Sequence, residues 1–149
     1  KIAGAKLQPI LQNIERITND SDIHLEITNL IIPGVNDSEA DITELCKALK
    51  SISTDIPIHF TGFFSTYKMQ NIVPTPISAL IKAKSIANSI GIRHIYIGNT
   101  SMEGVSDTLC EHCGELLIKR DGYNVTIQGK KVSNGIECAN CGSVMEIII

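Results

Sequence analysis

Two C-x-x-C pairs late in the chain, Cys110-Glu-His-Cys113 and Cys138-Ala-Asn-Cys141, constrain the fold more than any other feature. Each is followed by glycine (Gly114, Gly142), which lets the backbone turn tightly enough to aim amide groups at the sulfurs. The 24 residues between the pairs suit a β-hairpin that brings the two turns together. Cys110, Cys113, Cys138 and Cys141 are therefore the expected ligands of a tetrahedral site, with Zn²⁺ its natural occupant; rubredoxin-like iron fits the same set. Four thiolates leave no position open for water or substrate, so the zinc is expected to be structural. Residues 106–149 are too few to hold a fold by burial alone, and zinc binding supplies on the order of 10–16 kcal/mol. Paired thiols of this kind belong to a reducing compartment, which points to the cytoplasm.

Upstream the pattern is different. Leu7, Ile10, Leu11, Ile14 and Ile17 form the stripe of an amphipathic helix. Residues 23–32 are nearly continuous in Ile and Leu and stop at Pro33-Gly34, as a strand buried on both faces would. A helix follows with Ile42, Leu45, Cys46 and Leu49 on one side, and Ser38 with Asp41 supplies a capping-box start. Ile56 to Phe60 predicts a second strand. Pro76 opens a helix carrying Ile77, Leu80, Ile81, Ala87 and Ile90, and Gly91 ends it. Ile92 to Ile97 predicts a third strand. This α-β-α-β-α-β order implies right-handed parallel units over residues 1–105. A boundary is expected between Gly104 and Asp107, and beyond it strand-like pieces at Glu115 to Lys119, Tyr123 to Gln128 and Val144 to Ile149.

In parallel βα architectures chemistry gathers at the carboxyl ends of the strands. Here the informative stretch is Thr61 to Thr75, longer than a bare connection needs and holding Phe63, Phe64, Tyr67, Lys68 and Met69. Asn36-Asp37 reads as a turn and helix start. Thr28 and Asn29 interrupt an apolar strand, and a buried polar group requires a partner or a ligand. His59 reads first as a hydrogen-bonded core histidine, Cys46 as a small buried hydrophobe and His112 as exposed. His24 and His94, at strand starts, receive no role.

Composition excludes several classes. With 13 Lys and Arg against 16 Asp and Glu, the chain has no basic footprint for nucleic acid. Residues 106–149 hold four basic and six acidic residues and one aromatic, Tyr123, a poor stacking surface. The apolar runs fall far short of the roughly 20 residues of a membrane-spanning helix. The chain opens on Lys1 with no signal segment after it.

The run Leu25 to Asp37 resembles a late barrel strand and turn of radical SAM enzymes of the pyruvate-formate-lyase-activating type. Pro57-Ile-His-Phe60, Tyr67-Lys-Met69, Pro74-Thr-Pro76 and Tyr96-Ile-Gly-Asn99, followed by the C-x-x-C pairs, resemble the radical SAM enzyme of the AmmeMemoRadiSam system. The resemblance implies a (β/α)6 partial barrel in which a [4Fe-4S] cluster on a C-x3-C-x2-C motif reductively cleaves S-adenosylmethionine. The 5′-deoxyadenosyl radical then takes hydrogen from a substrate, which could be a protein; Memo-like proteins are partners by association. No C-x3-C-x2-C occurs in this sequence, and three strands cannot close a barrel. The resemblance thus makes the chain the C-terminal part of such an enzyme, α/β with a small β zinc ribbon appended, inactive by itself. It places Thr28, Leu30 and His59 on the S-adenosylmethionine side and Tyr67, Lys68 and Asn99 on the substrate side. The competing reading is a non-catalytic zinc-ribbon binding module on a partial α/β scaffold.

Overall fold

The computed structural model describes residues 4–147. The chain divides between Asn99 and Thr100 into two compact units, upstream of the boundary expected from composition.

The first unit runs α1 (Leu7–Asp20), β1 (Ile27–Ile31), α2 (Glu39–Ile52), β2 (Ile58–Gly62), a 3-10 turn (Tyr67–Met69), α3 (Ile77–Ile90) and β3 (Ile95–Gly98). The strands form one parallel sheet in the order β1-β2-β3, with Thr28 beside His59 and His59 beside Tyr96. Both crossovers step the same way along the sheet, so right-handed connections put α2 and α3 on one face. That face carries Ile31, Ile58, Phe60, Ile95 and Ile97, which close over Ile42, Cys46, Leu49, Leu80, Ala83 and Ala87 of the helices, all buried.

Local signals account for the helix ends. Ser38 accepts the Asp41 N–H at 3.1 Å as N-cap of α2. Gly91, at φ 99°, donates to the carbonyls of Ala87 and Asn88, and Ile92 donates to Ala87, closing the last turn of α3. Pro76 is the N-cap of α3, one residue before the first helical position where the sequence put it.

The strands are shorter than their apolar runs. Ile23 stands 66% exposed outside β1, and within β1 Thr28 and Leu30 are exposed while Ile31 is buried. The expectation of a strand buried on both faces is corrected: helices cover one face of β1, and the other is open. α1 meets α2 through Ile14, leaving Leu7 and Ile10 of its apolar stripe exposed.

The second unit contains β4 (Thr108–Leu109), β5 (Leu116–Asp121), β6 (Asn124–Ile127), β7 (Lys130–Val132), β8 (Gly135–Glu137) and β9 (Val144–Glu146). They form two antiparallel three-stranded sheets, β4-β5-β6 and β7-β8-β9. Three of these strands, β4, β7 and β8, have no clear alternation in the sequence. The core is small: Leu117, Ile118, Ile136 and Met145 pack with Cys110 and Cys138. Arg120 anchors the start of the unit, its guanidinium donating to Ser106 O at 2.8 Å and Thr108 Oγ1 at 2.7 Å. Residues 148 and 149, the end of the expected last strand, lie outside the described residues.

Candidate functional site

The four cysteines of the C-x-x-C pairs converge. Their Sγ atoms all lie within 4.8 Å of one another, and the pairs cross between turns: Cys110 to Cys141 and Cys113 to Cys138 are each 3.6 Å. A zinc ion about 2.3 Å from four tetrahedral sulfurs sets them about 3.8 Å apart, so the donor set fits a tetrathiolate metal ion. Cys110 and Cys138 are buried in the ribbon core, while Cys113 and Cys141 are exposed, as is His112.

Each turn is shaped by its own backbone. Gly114 donates to the Cys110 carbonyl at 2.8 Å and Gly142 to the Cys138 carbonyl at 2.9 Å, with φ of 75° and 72° at the two glycines. Hydrogen bonds also reach the sulfurs. The Ser143 hydroxyl and the N–H groups of Cys113 and His112 hold the Cys110 thiol down at about 6 against the effect of burial. The Ser143 hydroxyl and N–H likewise lower Cys141. At Cys113 the Glu115 N–H and the Asn140 side chain favour the thiolate, but desolvation and the sulfurs of Cys141 and Cys138 outweigh them and raise it to about 11. A cation at the centre reverses that repulsion, because it attracts all four thiolates at once.

The second candidate site is the open face of the parallel sheet. Alternation along each strand sets Thr28 and Leu30, His59 and Thr61, and Tyr96 and Gly98 side by side on the face that α2 and α3 leave uncovered. Thr28, Leu30 and His59 thus share a surface. His59 stacks on Tyr96 with ring centroids 5.1 Å apart and bonds through Nε2 to Glu26 Oε2 at 2.8 Å. Glu26 Oε1 takes His24 Nε2 at 2.8 Å. The His24 contact is the main reason this carboxyl titrates below its ordinary 4.5, with burial opposing and the His59 contact adding to it. Asn29 points to the opposite, covered face, where its Oδ1 is buried with no partner among the described residues.

The carboxyl ends of the strands are pinned. The Thr75 hydroxyl donates to Ile31 O and accepts the Phe63 N–H at 2.9 Å, while the Thr75 N–H donates to Phe63 O at 3.0 Å. Residues 64–74 therefore form a loop closed at its base. At its tip Tyr67 takes φ 48° and stands 77% exposed, with Lys68 Nζ 5.3 Å from its ring centroid. Asn99, at φ 58°, donates from Nδ2 to Gly62 O at 2.6 Å, joining the ends of β2 and β3. Asn36 acts beyond a simple turn: its side chain accepts from Ile32 N at 2.8 Å and donates to Leu30 O at 3.0 Å along the outer edge of β1.

Sequence reasoning missed Glu26, Thr61, Thr75, Asn140 and Ser143. Only Ser143 had a legible signal, a hydroxyl residue two positions after a ligand cysteine.

No helix among the described residues is long and apolar enough to cross a membrane. No family model matches the chain. An uncharacterized protein of Methanocaldococcus jannaschii is 32% identical over 150 residues, an alignment that takes in 100% of this chain and 44% of that protein. The chain therefore spans less than half the length of the curated relative it matches. Among solved structures, a radical SAM methyltransferase from Sphaerobacter thermophilus superposes with a TM-score of 0.54 at 17% identity, over 74% of this chain and 30% of that one. The chain is an α/β protein with a four-cysteine metal-binding cluster, related in fold to a radical SAM enzyme.

Proposed function

We propose that the chain is the C-terminal portion of a radical SAM enzyme, in which β1, β2 and β3 form the later strands of a (β/α)6 partial barrel and the ribbon holds structural zinc. The observation that carries this reading is the open sheet face, where Thr28, Leu30, His59, Thr61 and Tyr96 line up across parallel strands whose other face is buried under helices. A partly exposed row of this kind is what a barrel lumen presents before its remaining strands close over it.

Residues of this chain fit some of the implied groups and not others. A [4Fe-4S] cluster does not fit here: Cys46 is fully buried on α2 and the other four cysteines form the ribbon cluster. The cluster would be held by residues outside this chain, and supplies the electron that cleaves S-adenosylmethionine. S-adenosylmethionine fits the open face. Thr28 offers a hydroxyl and Leu30, 42% exposed, an apolar surface to an adenosyl group, beside the His59 ring that Glu26 and Tyr96 hold in place. Tyr67, Lys68 and Asn99 at the carboxyl edge would meet the substrate, whether a protein, as for an activase, or a small molecule. Memo-like proteins are candidate partners by family resemblance alone, and the reduced cysteines suit the cytoplasm.

The test is expression of this chain together with the reading frame that precedes Lys1. After anaerobic reconstitution with iron and sulfide, the expected result is 5′-deoxyadenosine formed from S-adenosylmethionine and dithionite. Absence of a C-x3-C-x2-C motif upstream, or of 5′-deoxyadenosine, overturns the reading in favour of a zinc-ribbon binding module.

A further inference from the structure

The two cysteine turns are alike in backbone and unlike in side chains. They read Cys110-Glu-His-Cys113-Gly-Glu115 and Cys138-Ala-Asn-Cys141-Gly-Ser143, so His112 corresponds to Asn140 and Glu115 to Ser143. Asn and Ser can donate hydrogen bonds at neutral pH, whereas an ionised Glu accepts only. The Ser143 hydroxyl of the second turn lies against sulfur, and it reaches across to the first. Ser143 Oγ lies 2.9 Å from Cys141 Sγ and 3.3 Å from Cys110 Sγ.

The four sulfurs differ in exposure. Cys110 and Cys138 are 2% and 1% exposed, shielded by the ribbon core, whereas Cys113 and Cys141 face solvent. Of the two solvent-facing sulfurs, Cys141 has the Ser143 hydroxyl 2.9 Å away. A hydrogen bond to a metal-bound thiolate withdraws electron density from the sulfur, which weakens it as a nucleophile toward electrophiles in solution.

We propose that Ser143 is a positioning residue of the metal centre, its hydroxyl quenching the exposed Cys141 thiolate so that the site keeps its metal in the presence of electrophiles. This rests on the reading that the four thiolates hold zinc. Iodoacetamide is the probe: each alkylation forms a sulfur–carbon bond, expels iodide and removes one ligand from the metal.

Zinc content is measured first on the full chain and on S143A and S143T. Zinc release under excess iodoacetamide is then followed with a chromophoric chelator. S143A is expected to release zinc at least roughly tenfold faster, the scale on which outer-shell partners act, with S143T near the parent because it keeps the hydroxyl. In cobalt-substituted protein, the thiolate-to-metal charge-transfer bands of S143A should move to lower energy, a shift that looser folding alone does not produce. Equal release rates and unchanged bands with metal bound overturn the proposal. A parent chain that binds no zinc overturns instead the zinc reading beneath it, and the proposal with it.

Discussion

The Thr75 hydroxyl donates to the carbonyl oxygen of Ile31 at 2.5 Å, tying the end of edge strand β1 to the residue two before helix α3. The Thr75 hydroxyl oxygen in turn accepts the Phe63 N–H, so one side chain joins the ends of two strands and the base of the loop over 64–74. Valine at this position removes both bonds without changing shape much and leaves two part-buried backbone groups unpaired. T75V should lower stability by about 1–3 kcal/mol, while T75S keeps most of it. Urea midpoints followed by helical circular dichroism decide this; a T75V midpoint equal to the parent's would show that the clamp contributes nothing.

Metal and fold should be linked in the second unit alone. Among the described residues all three α-helices belong to the first unit, so the helical signal reports on that unit and the zinc content on the other. The purified chain is expected to carry about one zinc and no acid-labile sulfide, from the four sulfurs of a single closed site. C113S should abolish zinc binding and order in residues 106–149 while leaving the helical signal largely intact. Collapse of both signals together would contradict two independently folded units.

Gly135 is the most constrained backbone position of the ribbon. At φ +146° a Cβ would come 1.9 Å from Met145 O, inside the β8–β9 ladder. G135A should therefore separate β8 from β9 and cost the chain its zinc, since Cys138 follows β8 directly and Cys141 lies before β9. Gly122, at φ +57° with nothing within 4 Å of an added Cβ, is the control. G122A carries only the left-handed penalty, roughly 1–2 kcal/mol, and should retain zinc. Equal zinc retention in the two variants would refute the crowding argument.

Glu26 gives a pH signature. Its native carboxyl titrates below 4.5, so its contacts add stability above that value, and the contribution is lost as pH falls through the lowered native value. The carboxylate is 47% exposed, which keeps the effect on stability small. Replacing His24 by Ala removes the hydrogen bond that contributes most and should raise the Glu26 midpoint toward 4.5. Carboxyl-carbon NMR titration reads this directly; a midpoint equal to the parent's would refute it.

What could be read from the sequence was local. The metal cysteines are legible because a C-x-x-C turn presents both sulfurs on its own. The ends of α2 and α3 are legible because Ser38 and Gly91 act within one helical turn. The strands of the ribbon were harder: β7 and β8 are three residues each, too short for alternation to show.

Relations between distant segments were decided by the tertiary structure. Period-two alternation says that Thr28 and Leu30 share a face, but only the register sets them beside His59, Thr61 and Tyr96. The apolar run through β1 read as buried on both sides because sequence records hydrophobicity and not how many layers cover a strand. Glu26 gained His24 and His59, and Ser143 gained two sulfurs from opposite turns, through pairings across up to 33 residues. The sequence by itself determined the α/β order, the helix caps and the four thiolates, because each depends on neighbours within a turn. Which side chains meet across the sheet and around the thiolates was left to strand register, a property of chain segments brought together only by folding.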